Sequence, residues 1–359
     1  MKKEVQFATF IITFLILIFS MHFYVFSTLF DLFSLSKGLL FYILIIILSL
    51  SYVISGIFER KIPGIFSRGF YITSVIWFGA IWFSFWITII YDLSSFFVSI
   101  DNVIAGTIII SLDLLLVCYG LINGQFIRKT RIKLEFNKEK LKQNVKIVHL
   151  TDIHLGTVNT RPFLAKVVRK TIEEKPDLVL LTGDLVDGSA PLSLEMLKPL
   201  EKIKTPIYFV IGNHEIYDDL DFVLPILKKT KLKIIRNSVV NYRGIQIAGI
   251  DFYEGKKQAP IEIKKLEIDE KKFSILLNHA PTGFEEAAKL GFDLQLSGHT
   301  HKGQIFPFEL FVRMFYKYVS GLFKVKESYL YVSQGTETWG PPMRVGSRSE
   351  IVVIDLERK

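Results

Sequence analysis

Five of the seven histidines in this 359-residue chain fall in short polar motifs: Thr151-Asp152-Ile153-His154, Gly212-Asn213-His214-Glu215, Asn278-His279 and Ser297-Gly298-His299-Thr300-His301. A further motif, Thr182-Gly183-Asp184, adds a second aspartate. Imidazole, carboxylate and amide oxygen in one set, without thiolate, suit Mn, Fe, Zn or Mg rather than a soft metal. The single cysteine, Cys118, lies far from these motifs and excludes both a disulfide framework and a thiolate cage. Pairs at i and i+2, such as Asp152 with His154 and His299 with His301, point to one side if the backbone there is extended. Each pair can then close on a common centre.

Short apolar runs rich in branched residues precede these motifs and mark the elements that must position them. Runs at 146–150, 178–181, 207–211, 245–250, 274–277, 294–296, 330–332 and 351–354 read as strands. Helical spacing recurs at 163–174, 192–202, 222–229 and 284–290. The alternation predicts an α/β layered core, in two sheets because the later strands follow one another too closely for βα units. Every polar motif follows a strand, and in open α/β sheets ligands bind at the carboxyl ends of strands. His149 falls inside the first of these runs and is expected to be structural.

The first third is of another kind. Half of the chain is hydrophobic, and a mean hydropathy of +0.35 exceeds that of an ordinary soluble protein. A spanning helix needs about 20 predominantly apolar residues, and stretches 5–30, 39–58, 69–91 and 103–122 meet this, making residues 1–127 a transmembrane region with four spans. The first is too long, and lacks the small-residue cleavage site, for a removable signal peptide. Lys2 and Lys3, then Arg60, Lys61 and Arg68, then Arg128, Lys129, Arg131 and Lys133 lie on one side, against Lys37 alone on the other. This asymmetry predicts a multi-pass protein of the cell (inner) membrane with both termini and the soluble part cytoplasmic. Asp113, inside the fourth span, is expected to make an interhelical polar contact, and His22 to lie at the interface. Residues 1–127 hold six Lys+Arg and six Asp+Glu, so the whole net charge of +9 belongs to the remainder, which anionic headgroups would attract.

The five motifs, in order, match the pattern D-x-H, G-D, G-N-H-[ED], H, G-H-x-H, and over residues 144–356 the chain resembles the calcineurin-like metallophosphoesterase superfamily. GHTHKGQ at Gly298–Gln304 and GTETWGPPMRVGSRSEI at Gly335–Ile351 resemble its bacterial membrane-attached branch, with Lys302 where that branch commonly has Gly. The resemblance implies an αββα two-sheet sandwich over 144–359, reached through a basic linker at 128–143, and a centre of two divalent metal ions. Asp152, His154 and His301 would hold the first, Asn213, His279 and His299 the second, and Asp184 would bridge them. Two such ions about 3.5–4 Å apart share a hydroxide nucleophile and neutralise phosphate oxygens. His214 would not be a ligand; it would protonate the leaving oxygen. Arg344 and Arg348, after Gly335, are expected to bind the substrate phosphate.

The residues themselves favour the same chemistry. No P-loop, dinucleotide fingerprint or G-x-S-x-G elbow is present, which removes the motif basis for a kinase, dehydrogenase or serine hydrolase. Metal-assisted hydrolysis of a phosphoester or pyrophosphate is the expected reaction. After His301, aromatic residues from Phe306 to Phe323 alternate with Arg313, Lys317, Lys324 and Lys326 in runs too short to span a bilayer. Such a segment either covers the core or sits among lipid headgroups; the second leads to a lipid-linked phosphoester as substrate. Other readings are a membrane sensor or scaffold whose metal domain turns over little, and a nucleic-acid phosphodiesterase, disfavoured because no aromatic stacking platform is evident.

Overall fold

Fully buried strands read as unbroken apolar runs because both faces are covered, and eight such runs form the interior of two six-stranded sheets. The computed structural model describes residues 2–137, 139–255 and 257–359. It divides into two compact units: residues up to Ile122 with Gly340–Met343, and Asn123–Trp339 with Arg344–Lys359.

In the second unit the strands are β1 (Ile127–Phe136), β2 (Val145–Leu150), β3 (Leu178–Thr182), β4 (Ile207–Val210), β5 (Leu232–Ile234), β6 (Ser238–Tyr242), β7 (Ile245–Gly249), β8 (Ser274–Leu277), β9 (Leu294–Ser297), β10 (Gly321–Val325), β11 (Ser328–Val332) and β12 (Ser349–Arg358). The first sheet has the order β1-β12-β2-β3-β4-β5 and the second β10-β11-β9-β8-β7-β6. Strands β2 to β5 are mutually parallel, as are β7, β8, β9 and β11, so their carboxyl ends share one edge of each sheet. Alternate residues of each sheet face the other: Val145, Ile147, Leu178 and Leu180 meet Ile245, Ile247, Ile275, Leu294 and Leu296 in the central layer. The outer face of the first sheet, with Val148, Val179 and Leu181, buries Leu164, Val167 and Val168 of a helix at Arg161–Glu173. On the outer face of the second, Ala248 and Leu276 pack with Ala259, Ile263 and Ala287 from helices at Gln258–Lys264 and Phe284–Lys289. The result is the expected αββα layering.

The segment expected to be a basic linker over 128–143 is a correction. Most of it is β1, parallel to β12 from Ile127↔Ser349 to Phe136↔Arg358. Its Ile127, Leu134 and Phe136 are buried while Arg128, Lys129, Arg131 and Lys133 are exposed or paired. Lys129 and Arg131 both engage Glu174. Lys138, within the same expected linker, lies outside the described residues.

The first unit holds four helices long and apolar enough to cross a membrane: α1 (Lys2–Leu32), α2 (Leu39–Lys61), α3 (Ile65–Ser95) and α4 (Asn102–Gly124). Polar residues in apolar helices seek partners on neighbouring ones. Asp113 of α4 lies against Ser84 of α3, an interhelical polar contact of the kind expected of it. His22, expected at the interface, is buried between helices, and Trp77 Nε1–H donates to its Nε2 at 2.9 Å.

Candidate metal centre

The carboxyl ends of β2, β3, β4, β8 and β9 each release the chain into one of the polar motifs. The backbone there is not extended. Asp152, His154, Asp184, His299 and His301 all have positive φ, between 47° and 70°. Non-glycine residues pay for that region in steric strain, which persists where surrounding contacts hold it. The i, i+2 pairs therefore converge through tight left-handed loops and not through strand periodicity, which corrects the expected route to the same convergence. Small residues make room for them: a Cβ on Gly298 would lie 2.2 Å from Asp152 Oδ2, and one on Gly212 2.2 Å from Asp184 Oδ1.

Two groups of nitrogen and oxygen atoms result. In the first, His301 Nε2 lies 3.0 Å from His154 Nε2 and 3.3 Å from Asp152 Oδ1. In the second, Asn213 Oδ1 lies 2.9 Å from His279 Nε2 and 2.8 Å from His299 Nδ1. Between them, Asp184 Oδ2 stands 3.9 Å from His154 Nε2 and 3.1 Å from His279 Nε2. Asp152–His154–His301 and Asp184–His279–His299 each have ligand atoms within 4.8 Å of one another. His154, Asp184 and His214 form a third such set.

Electrostatics prepares most of these groups to bind a cation. Burial, with neighbouring His214, holds His154 well below the usual histidine value, and burial with His279 pushes His299 down to about 3. Both rings are thus neutral ligands at pH 7. Burial opposes ionisation of Asp152 and Asp184, yet the surrounding imidazoles keep both carboxyls below the usual range. His279 differs: burial lowers it, but Asp184 and Asp152 more than offset this and raise it to about 9. The donor set and its spacing fit a pair of divalent ions bound through nitrogen and oxygen, with His279 giving up its proton to a cation that would bind there.

His214 stands beside this set, its ring centroid 4.7 Å from that of His154. Its Nδ1 lies 3.0 Å from the Asp187 carbonyl, which can only accept, so Nδ1 carries the proton and Nε2 is free to exchange one. Exposed Tyr217 and Trp339 flank the ring at 5.9 and 5.7 Å.

Four supporting residues carried no signal of their role in the motifs. Glu215 accepts backbone N–H bonds from Asp184, Leu185, Val186 and Gly212 at 2.7–3.2 Å, tying two ligand loops together. Tyr316 places its hydroxyl 2.8 Å from His299 Nε2. Asp187 and Trp339 bracket His214 as described. Of these only Glu215, three residues past Gly212 at a helix start, has a recognisable local logic, that of a capping box.

Of the two arginines expected to bind phosphate, Arg344 is a correction. Arg344 is fully buried and donates to the carbonyls of His301 and Glu337 and to Ser347 Oγ. Arg348 lies against Glu350 Oε2 and Thr130 Oγ1, on the β1–β12 pair. Arg344 is spent on the fold, while the Arg348 side chain is 40% exposed. Lys302 has φ 52°, which explains why glycine suits the position, and its ammonium reaches the Gly346 carbonyl.

Residues 145–303 match the family profile described as calcineurin-like phosphoesterase. An uncharacterised metallophosphoesterase of Campylobacter jejuni is 39% identical over 227 residues, 61% of each chain. Another, from Aquifex aeolicus, is 33% identical over 256 residues, 68% of this chain and 97% of that one. A Danio rerio transmembrane protein with metallophosphoesterase domain is 32% identical over 268 residues, 68% of this chain and 60% of its own. The matches with the Campylobacter and Helicobacter pylori relatives span 61% and 63% of those proteins.

Proposed function

Because this chain belongs to the calcineurin-like metallophosphoesterase family, we propose that it is a membrane-anchored, metal-dependent phosphoesterase acting on a phosphoester or pyrophosphate bond, with a lipid-linked compound as substrate. The observation that carries the reading is the pair of donor groups flanking Asp184, with His214 beside them and its Nε2 free. In the proposed assignment Asp152, His154 and His301 hold one divalent ion, Asn213, His279 and His299 the other, and Asp184 contacts both. Such ions supply Lewis-acid activation of the nucleophile and neutralise phosphate charge.

The chain's own residues do the rest. Glu215 fixes the loops bearing Asp184 and Asn213, so the donor groups are held before substrate arrives. The Asp187 carbonyl fixes the His214 ring, leaving Nε2 to deliver a proton to the departing oxygen. Tyr217 and Trp339 wall the side on which that group leaves. On this proposal the protein lies in the cell membrane with the catalytic unit cytoplasmic, a reading that the basic flanks of its spans support.

The test uses full-length protein in detergent and in nanodiscs, assayed with Mn on a chromogenic diester, a chromogenic monoester and phosphatidyl substrates. Turnover that needs metal, is lost with Asn213→Ala, and falls about 10²–10⁴-fold with His214→Gln while metal stays bound is the expected result. Bound metal without hydrolysis of any of these would sink the enzyme reading in favour of a sensor.

A further inference from the structure

Trp339 is a large apolar side chain left half-exposed on a backbone that is firmly held. Its indole is 50% exposed, while Thr336, Glu337 and Thr338 just before it are buried. The Gln304 side chain grips the residue at both ends: Trp339 N–H donates to Gln304 Oε1 at 2.8 Å, and Gln304 Nε2–H donates to the Trp339 carbonyl at 2.9 Å. One residue earlier the Thr338 carbonyl accepts from Asn159 Nδ2 at 3.2 Å, and before that the Glu337 carbonyl accepts from Arg344. Three side chains distant in sequence thus fix the course of 337–339. An exposed aromatic ring on a fixed backbone loses little freedom when it meets a ligand, which suits it to recognition.

The position of the indole defines what it meets. Its centroid is 5.7 Å from that of His214, and Tyr217, 59% exposed, stands 5.9 Å from the same imidazole. At the other donor group, Phe252 beside His279 and His299 is buried, and Tyr316 is half-buried with its hydroxyl on His299. Exposed aromatic faces are therefore gathered at the His214 end, where the departing oxygen receives its proton. The indole plane is inclined at 67° to the imidazole, so a flat ring laid on the indole does not stack on His214 itself. Offset stacking favours such a ring over an aliphatic group of equal apolar area.

We propose that Trp339 determines specificity for the departing group, its indole stacking a flat conjugated ring, a nucleobase or an aryl group, which that group carries. The inference rests on the phosphoesterase reading, with His214 as proton donor, and deepens it by naming the half of the substrate that leaves.

Phosphonates test the stacking without turnover, because a carbon–phosphorus bond replaces the bond that would be cleaved. Benzylphosphonate and cyclohexylmethylphosphonate carry the same charge and rings of similar size, one flat and one puckered, and the puckered one is the more apolar. Binding to full-length, Mn-loaded protein in detergent is read by calorimetry and by quenching of indole emission. The other three tryptophans, Trp77, Trp82 and Trp86, lie in α3, and Trp339→Leu identifies the part of the emission that belongs to position 339. Benzylphosphonate should bind about 3- to 10-fold more tightly than its puckered counterpart, and quench the emission that Trp339→Leu lacks. That variant should lose the preference with its Mn affinity unchanged, and Trp339→Phe, which keeps a ring, should retain most of it. Equal affinities in the native chain, or a preference that survives Trp339→Leu, would overturn the stacking alone. Failure of Mn to promote binding of either phosphonate would overturn the phosphoesterase reading, and this inference with it. Uridine 5′-methylenephosphonate and its base-free ribose counterpart form the second arm. A base preference that Trp339→Leu abolishes and that exceeds the benzyl preference assigns the ring to a nucleobase; a smaller one assigns it to an aryl group.

Discussion

A guanidinium that donates to two backbone carbonyls and a hydroxyl is a structural brace, and Arg344 shows why residue type misleads at this scale. It ties the His301 loop to Glu337, whose N–H donates to the Asp152 carbonyl at 3.0 Å. Arg344→Met leaves those carbonyls buried without donors and is expected to cost about 2–4 kcal/mol. The check is pulse proteolysis in urea, with KM for a soluble diester unchanged in the metal-loaded protein; a raised KM at unaltered stability would restore a substrate role. His149 has a different consequence. Burial pushes it down to about 3, from 6.5, with Nε2 on Thr182 Oγ1 and Nδ1 unpartnered among the described residues. The unfolded chain therefore binds the extra proton between those values, and stability present above pH 6.5 is lost as pH falls, by roughly 1.4 kcal/mol per unit. Metal-free protein carrying His149→Gln should lose about 2–3 kcal/mol less than the native chain between pH 7.5 and 4.5. An identical loss would place the acid sensitivity elsewhere.

Among elements, the strands readable from sequence were the eight interior ones, and the four that escaped, β1, β5, β6 and β10, are the edges of the two sheets. Interior strands are covered on both faces and spell continuous apolar runs such as Leu178–Leu181, whereas an edge strand keeps polar or basic residues toward water. β1 is the extreme: IRKTRIKLEF looks like a charged tether, and only the pairing with β12 and the contacts of Lys129 and Arg131 with Glu174 make it a strand. The site motifs were readable because they follow interior strands. Their supports were not, since Arg344, Tyr316 and Trp339 reach the centre through long-range contacts that local spacing does not encode. Between strand and ligand stand the glycines, and Gly298→Ala tests their part. Its Cβ would press on Asp152 Oδ2 and Thr151 Oγ1, each 2.2 Å away. Thr151 is held by its own bond to the Thr182 carbonyl, so the carboxylate must yield. Mn affinity measured by titration should fall at least about tenfold, in the range seen when a ligand's support is lost, with the far-ultraviolet dichroism unchanged. Full affinity would show that the loop can move without the ligand.

At the scale of the molecule, the side of the membrane on which the centre lies decides which metal it meets, because sites of this donor type take what the compartment supplies. The charge pattern argues for the cytoplasmic side. Arg60 and Lys61 end α2 exposed, and Arg68 falls in the first turns of α3, so three basic groups crowd one short loop. The loop between α1 and α2 has Lys37 alone, and its ammonium is taken up by Asp31 at 2.7 Å and Ser27. The loop between α3 and α4 holds Asp101, whose carboxylate accepts from the N–H groups of Val103 and Ile104 at the start of α4. Basic residues in short loops are what retains a segment in the cytoplasm, and an even number of spans then returns the chain to the side where it began. Alkaline phosphatase, which folds only outside the cytoplasm, should accordingly be inactive when fused after Lys359 and active when inserted in the loop at 96–101, with a fluorescent-protein fusion giving the opposite pattern. The reverse result would move the centre to the outer face, where transition metals are less tightly buffered by the cell.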